Sequence, residues 1–228
     1  MRVQCKTQKT PEWFNARLGK VTASNIARAM KRLKRASGEK KAGDWAAEHD
    51  NYVEELAWEI VTGKPAEHWV SPEMDVGTQY EPDARMEYFD RLRAEFPDAE
   101  VATTGFVLHP TLDFLGCSPD GLVFDGTFGG LEGKVPKLTT HQKYILGDVV
   151  PADYVLQMQC GMLCCELPWW DFTSYAPPEV YPEFPSELRL FRKRLFADTA
   201  VFAEMEEAAR VTSEQAHELA DLIRGRMG

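Results

Sequence analysis

Two carboxylates and an amine stand close together near the middle of this chain. Asp120 lies in Ser118-Pro119-Asp120-Gly121, and Glu132 and Lys134 follow in Leu131-Glu132-Gly133-Lys134. On a strand side chains alternate, so Glu132 and Lys134 would share a face. Two carboxylates can share a hard divalent cation, which takes oxygen ligands. An amine beside them can stabilise an attacking hydroxide or the charge building on a phosphate. Together these are the parts of metal-assisted phosphodiester hydrolysis. Taken alone they also fit a bland reading, an Asp-Gly turn followed by solvated strand residues. The rest of the chain decides between the two.

Local patterns predict the elements that must position these residues. Thr10-Pro11-Glu12 opens a helix that ends near Gly19: a capping threonine, proline in the first turn, then an acid. Thr22-Ala23-Ser24 opens a second helix through Ile26, Ala29 and Met30, with Ser24 a good cap. The basic run from Lys31 to Lys41 reads as a mobile loop. Asp50 to Thr62 is helical with Gly63 as its stop, and Gly77 to Phe96 is helical with Pro82 starting or kinking it. Short apolar runs between Val101 and Val135, split by Gly, Pro and Asp, predict an antiparallel meander. A buried helix over 152–167, strands over 169–175 and 187–191, and a long helix over 198–224 complete the chain. Helices, then strands, then alternation indicate an α/β core with a helical N-terminal addition.

Bulk properties narrow the class. With 228 residues, 44% of them hydrophobic, the chain can close a sizeable core as one globular domain, and six tryptophans argue against disorder. No leader-like apolar run follows the N-terminal basic residues, and no stretch approaches a membrane span. Five cysteines without a framework spacing predict reduced thiols and a cytosolic setting. Cys160, Cys164 and Cys165 read as small buried residues of an apolar helix, since an iron–sulfur site would need a matching second pair. A net charge of −10 and a pI near 5.1 exclude a protein that coats DNA over its whole surface, but not a local basic groove.

Further motifs occur in a fixed order. They are Trp13, Ala16-Arg17-Leu18-Gly19, Thr22-Ala23-Ser24, Gly77-Thr78-Gln79-Tyr80-Glu81, Gly116 to Leu122, Leu131 to Pro136, and Tyr154 to Gln159. With these in place the chain resembles the phage lambda exonuclease family, part of the restriction-endonuclease-like nucleases with a PD-(D/E)xK motif. The likeness covers Trp13 to Tyr175.

That resemblance implies a restriction-endonuclease-like α/β core, a central mixed sheet flanked by helices, plus the N-terminal helical region. One nuclease domain would span 1–228, with a helical part over 1–70, the core over 71–175 and a C-terminal strand and helix over 176–228. Asp120, Glu132 and the backbone carbonyl of Gly133 would ligate Mg²⁺, with Mn²⁺ a substitute and two ions per site. Lys134 would position and polarise the attacking water. Glu81 would orient a metal-bound water or support the second ion, and Gln157 would hold the water or the strand. Arg17, Thr22, Ser24 and Ser118 match a pocket for a 5′-terminal phosphate, where arginine offers a bidentate contact. Arg35, Lys40 and Lys41 in the basic run could line a DNA channel. Met74 could wedge between base pairs as strands separate.

The activity implied is 5′→3′ digestion of one strand of double-stranded DNA from its ends, preferring a 5′ phosphate and leaving 3′ single-stranded tails. The chain would act as a ring-shaped homotrimer in a bacterial host cytoplasm, phage or prophage encoded, beside a single-strand annealing protein. The chain departs from the family at Gly133, where a bulky apolar residue is usual, and at Pro110, where an acid can stand. The nearest acid to Pro110 is Asp113. Two other classes remain: a structure-specific endonuclease of the same superfamily, and a weakened DNA-end-binding protein. Bland readings stand beside the sharp ones. Arg17 could be a solvated helix-end charge, Glu81 a helix N-terminal acid, Met74 a core residue, and Gln157 a partner for buried backbone. His109 and His141 read as structural, because a metal-activated water needs no histidine. Trp169-Trp170 reads as core or subunit interface.

Overall fold

A computed structural model of the chain describes residues 1–66 and 72–227, with side chains from residue 77 onward in the second stretch. In chain order the elements are β1 (Arg2–Val3), α1 (Pro11–Arg17), β2 (Val21–Thr22), α2 (Ile26–Ala29), α3 (Ala47–Thr62), α4 (Pro72–Glu95), β3 (Glu100–Ala102), β4 (Val107–Leu108), β5 (Leu115–Cys117), β6 (Gly121–Phe124), β7 (Phe128–Lys134), α5 (Leu138–Gly147), α6 (Ala152–Cys165), β8 (Trp169–Tyr175), β9 (Leu190–Phe196) and α7 (Phe202–Arg224). The expected mixed α/β architecture is present, but its strands fall into two sheets. One has the order β1-β4-β5-β2, the other β3-β6-β7-β8-β9. Both are mixed: β2 runs parallel to β5 and β7 parallel to β8, and the remaining pairs are antiparallel. The expected meander is therefore cut between β5 and β6. The cut is the segment Ser118-Pro119-Asp120, which carries the chain from one sheet to the other.

The five-stranded sheet is covered on both faces. Phe172 and Trp170 of β8 pack with Met158 and Cys160 of α6 in the larger core, which extends to α2, α3 and α7. Leu131, Val123 and Trp169 face Tyr88 and Leu92 of α4 in the second core. Burial on both faces leaves every residue of β8 buried, the polar Asp171, Thr173 and Ser174 included. Gly161 lets α6 approach the sheet closely, since a Cβ there would lie 2.7 Å from the Trp170 ring. The five cysteines are free thiols, and all but Cys5 are buried.

Local chemistry accounts for the helix ends. The Thr10 hydroxyl accepts from Trp13 N at 3.3 Å, capping α1 as expected. Gly63 ends α3 in the left-handed conformation at φ 64°. Helix α4 starts at Pro72, well before Gly77, so Glu81 is a mid-helix residue and not an N-terminal acid. Pro82 sits inside it and leaves the Thr78 carbonyl without its usual helical donor. Residues Ala23–Asn25 form a short 3-10 turn, and the residue that precedes α2 is Asn25, so Ser24 does not cap a helix. The basic run is pinned down. Arg32 bridges Trp45 and lies 3.6 Å from its ring centre, and Trp45 stacks on His49 of α3 at 4.0 Å.

Candidate active site

Strand register brings the chemistry together. Gly121 of β6 pairs with Leu131 of β7, so continuing the ladder by one residue sets Asp120 opposite Glu132 on a shared face. Two bonds fix this: Asp120 N donates to Leu131 O at 3.1 Å, and Gly133 N donates to Asp120 Oδ2 at 2.8 Å. Period two then adds Lys134, whose ammonium is ion-paired with Glu132 and lies 5.0 Å from the ring centre of Tyr154 on α6. The cluster stands at the C-terminal ends of the parallel strands β7 and β8.

The electrostatics are those of a crowded pair of acids. Asp120 is pushed up to about 7, first by burial and then by the charge of Glu132, against the opposing pull of Lys134 and the Gly133 amide. Burial alone would depress Lys134, but Glu132 and then Asp120 outweigh it and raise it, so the ammonium stays charged. A cation between the two acids would relieve their repulsion, and the oxygen-only donor set suits Mg²⁺. Among the described residues no three His, Cys, Asp or Glu side chains converge for a metal. The residues thus fit an ion held by two carboxylates, a backbone carbonyl and water, the usual manner for Mg²⁺. At Gly133 an added Cβ would find its nearest neighbour, Thr173 Oγ1, at 3.4 Å, so the glycine is not forced by crowding.

Asp120 is a wall common to several cavities. One, of about 150 Å³, is lined by Arg17, Thr22, Ser24, Ser118, Gln157, Glu132 and Lys134, so it joins the expected phosphate pocket to the carboxylates. Arg17 is held by stacking 4.2 Å over Trp13 and by donating to Ser118 Oγ at 3.0 Å. Trp13 Nε1 donates to the same oxygen at 2.9 Å, which leaves the Ser118 proton free to donate. Burial lowers Arg17 from its ordinary value, yet an arginine stays protonated. Thr22 is placed by the pairing of β2 with β5 and is buried, whereas Ser24 is exposed at the rim and 3.2 Å from the Thr22 hydroxyl. Gln157 projects from α6 one turn beyond Tyr154. A second cavity, of about 370 Å³, lies along α4 and is lined by Glu81, Arg85, Asp120, Lys134 and Tyr154.

Other expected residues stand elsewhere. Arg35, Lys40 and Lys41 line none of the cavities bounded by Asp120; Lys40 is ion-paired with Asp50. Met74 lies outside the residues with described side chains. Asp113 is exposed and pairs with Arg2 at 2.6 Å, away from the carboxylates. His109 Nδ1 accepts from the amides of Thr111 and Leu112, and its Nε2 faces Glu206. His141 bridges Ser174 and the Leu188 carbonyl. Both histidines are structural.

Sequence reasoning missed several residues. Gln8 Nε2 donates to the Pro119 carbonyl at 2.7 Å and to that of Thr104 at 3.2 Å, bracing the turn that presents Asp120. Glu81 is not free: Lys9 Nζ takes one oxygen at 2.8 Å and Arg85 Nη2 the other at 3.3 Å. Trp170 is core, but it also lines the smaller cavity, and its buried indole N–H has no partner among the described residues. Only the i, i+4 spacing of Trp13–Arg17 and of Glu81–Arg85 carried a local signal.

Residues 12–168 match the family described as the YqaJ-like viral recombinase domain. Two solved structures are similar over nearly the whole chain. The alkaline exonuclease LHK-Exo from Laribacter hongkongensis is 32% identical, with a TM-score of 0.77, covering 96% of this chain and 98% of that one. LHK-Exo in complex with dAMP is 33% identical, with a TM-score of 0.78 and the same coverage. A phage-related exonuclease from Haemophilus somnus, 14% identical with a TM-score of 0.58, covers 92% of this chain and 96% of its own and shares the fold. No curated protein matches the chain.

Proposed function

From the fact that this chain belongs to the YqaJ-like viral recombinase domain family, we propose that it degrades one strand of double-stranded DNA from the 5′ end. Family and structural likeness make it a DNA exonuclease that uses a divalent metal. The finer reading is a Mg²⁺-dependent 5′→3′ enzyme that prefers a 5′ phosphate and leaves a 3′ tail. One observation carries it: the cavity holding Arg17 and Ser118 has Asp120, Glu132 and Lys134 in its own wall. A terminal phosphate bound at one end of that cavity would bring the neighbouring phosphodiester to the carboxylates.

Each residue then has a role. The Arg17 guanidinium, the Ser118 and Thr22 hydroxyls and Ser24 at the rim bind the terminal phosphate. Asp120, Glu132 and the Gly133 carbonyl would hold Mg²⁺, which would lower the pKa of an attacking water and neutralise charge on the phosphodiester. Lys134, kept protonated by Glu132, polarises that water and stabilises charge on the phosphoryl oxygens. Gln157 faces the same cavity and positions water or strand, and Glu81 orients water from the α4 side. A homotrimeric ring, a single-strand annealing protein as partner and a bacterial host cytoplasm complete the proposal. A ring reconciles the net charge of −10 with DNA binding, because only its channel must be basic.

The test is digestion of a linear duplex labelled at its 5′ or 3′ end, with Mg²⁺ or with EDTA, beside a closed circle. Early release of 5′ label, dependence on Mg²⁺ and an intact circle are expected. Early release of 3′ label would reverse the polarity, and a cut circle would make the protein an endonuclease.

A further inference from the structure

We propose that the cleft on the α4 side of Asp120 is a second phosphate subsite, where Lys9 and Arg85 grip the phosphodiester that follows the scissile one in the strand being degraded. The inference rests on the 5′-end reading above and adds the path of the strand beyond the cut. If the terminal phosphate sits at Arg17 and the scissile one at Asp120 and Glu132, the strand must leave on the side away from Arg17. Asp120 also bounds a further cavity that Arg17 does not line, of about 230 Å³, walled by Lys9, Glu81, Arg85 and Thr104. It shares Glu81 and Arg85 with the larger cavity that reaches Lys134, so the two adjoin along α4.

The charges in this cleft suit a phosphate. Two cations flank one carboxylate, each on a different oxygen of Glu81. Each spends one donor on that pairing, while an ammonium has three and a guanidinium five. Among the described residues the buried Arg85 Nε has no partner, so its fork is only half used. A planar fork of this kind takes two phosphate oxygens at once. Lys9 is also held in an unusual state, at φ 61°, where side-chain-bearing residues seldom rest. Such strain persists where surrounding structure imposes it, and it concentrates at ligand sites. Here the bonds from Gln8 to Pro119 and Thr104 fix the residue before it. Glu81 serves as a placeholder that keeps both cations at the cleft until phosphate oxygens arrive.

The experiment measures binding of a 5′-phosphorylated duplex with Ca²⁺ replacing Mg²⁺ to prevent turnover. The duplex carries one uncharged methylphosphonate linkage, at either the second or the fifth phosphodiester from the 5′ end. The native protein is expected to lose about tenfold in affinity when the second linkage is neutral, and little at the fifth. The Lys9→Met, Arg85→Met double variant should bind the all-phosphate duplex about tenfold more weakly and ignore the neutral linkage. Arg85→Lys, which keeps the charge, should retain part of the sensitivity and guards against a simple folding defect. Discrimination between 5′ phosphate and 5′ hydroxyl should survive in every variant. A native protein indifferent to the second linkage, or a double variant as sensitive as the native one, would overturn the subsite. Loss of 5′-phosphate discrimination in the native protein would instead overturn the parent reading and the subsite with it.

Discussion

Asp120 carries an electrostatic load that a bound cation would remove, and this has a thermodynamic signature. Its folded-state value, about 7, lies above its ordinary 3.8. The folded protein therefore binds this proton more tightly than the unfolded chain does. The resulting stabilisation is complete below 3.8 and is lost as pH rises through about 7. Without divalent metal, Tm should fall more steeply from pH 5 to pH 8 in the native protein than in Asp120→Asn. Mg²⁺ or Ca²⁺ should raise the native Tm more at pH 8 than at pH 6, because the ligand must be ionised. Superimposable Tm profiles for the two proteins would refute this. At Arg17, replacement by alanine should reduce the preference for 5′-phosphorylated ends about tenfold or more, and lysine should restore only part because it lacks the planar fork. Equal loss on phosphorylated and unphosphorylated ends would count against a phosphate role. Asp120, Glu132 and Lys134 were legible because strand periodicity alone relates Glu132 to Lys134, and an Asp-Gly turn marks Asp120. Gln8 and Lys9 gave no such signal. Gln8 meets Pro119 across 111 residues and Lys9 meets Glu81 across 72, and only folding brings them together.

Among the elements, those written in local chemistry were readable. The Thr10 cap and the Gly63 stop each follow from a few adjacent residues. Pairing was not readable, because alternation shows that a segment is a strand but not which sheet it joins. Strand β9 was expected over 187–191 and lies at Leu190–Phe196, since Arg192, Lys193 and Arg194 hid it. They are tolerated because Arg192 pairs with Glu95, Lys193 with Asp148, and Arg194 with Asp171 and Asp125. Helix α5 escaped notice because its start is secured from afar: Leu138 N donates to the Tyr181 hydroxyl at 3.2 Å. Helix α6 supplies Tyr154 and Gln157, so its seat on the sheet matters to the site. Gly161→Ala should drive a methyl into Trp170 and cost about 1–3 kcal/mol in urea unfolding. Gly133→Ala meets only ordinary contacts, should stabilise by about 0.5–1 kcal/mol and should keep DNA cutting. A neutral Gly161→Ala, or a Gly133→Ala that no longer cuts, would show that one of these close-packing accounts is wrong.

For the whole molecule the balance of charge is the governing fact. An acidic chain that binds DNA must confine its cations to the surface the duplex touches and turn its acids outward. The proposed ring would do this. Light scattering should therefore give a mass near three times that of the 25.8 kDa chain. A monomer at micromolar concentration would remove the ring from the account. The bracing of the catalytic turn by Gln8 has a consequence for how the protein comes into being. Residues 2–9 are made before their partners Leu108, Val107, Thr104, Pro119 and Glu81, which follow by 72 to 111 positions. Contacts so distant along the chain form late and slowly. Gln8 is made long before its partners, so its bonds to the turn that presents Asp120 can close only once the chain has been made through Pro119.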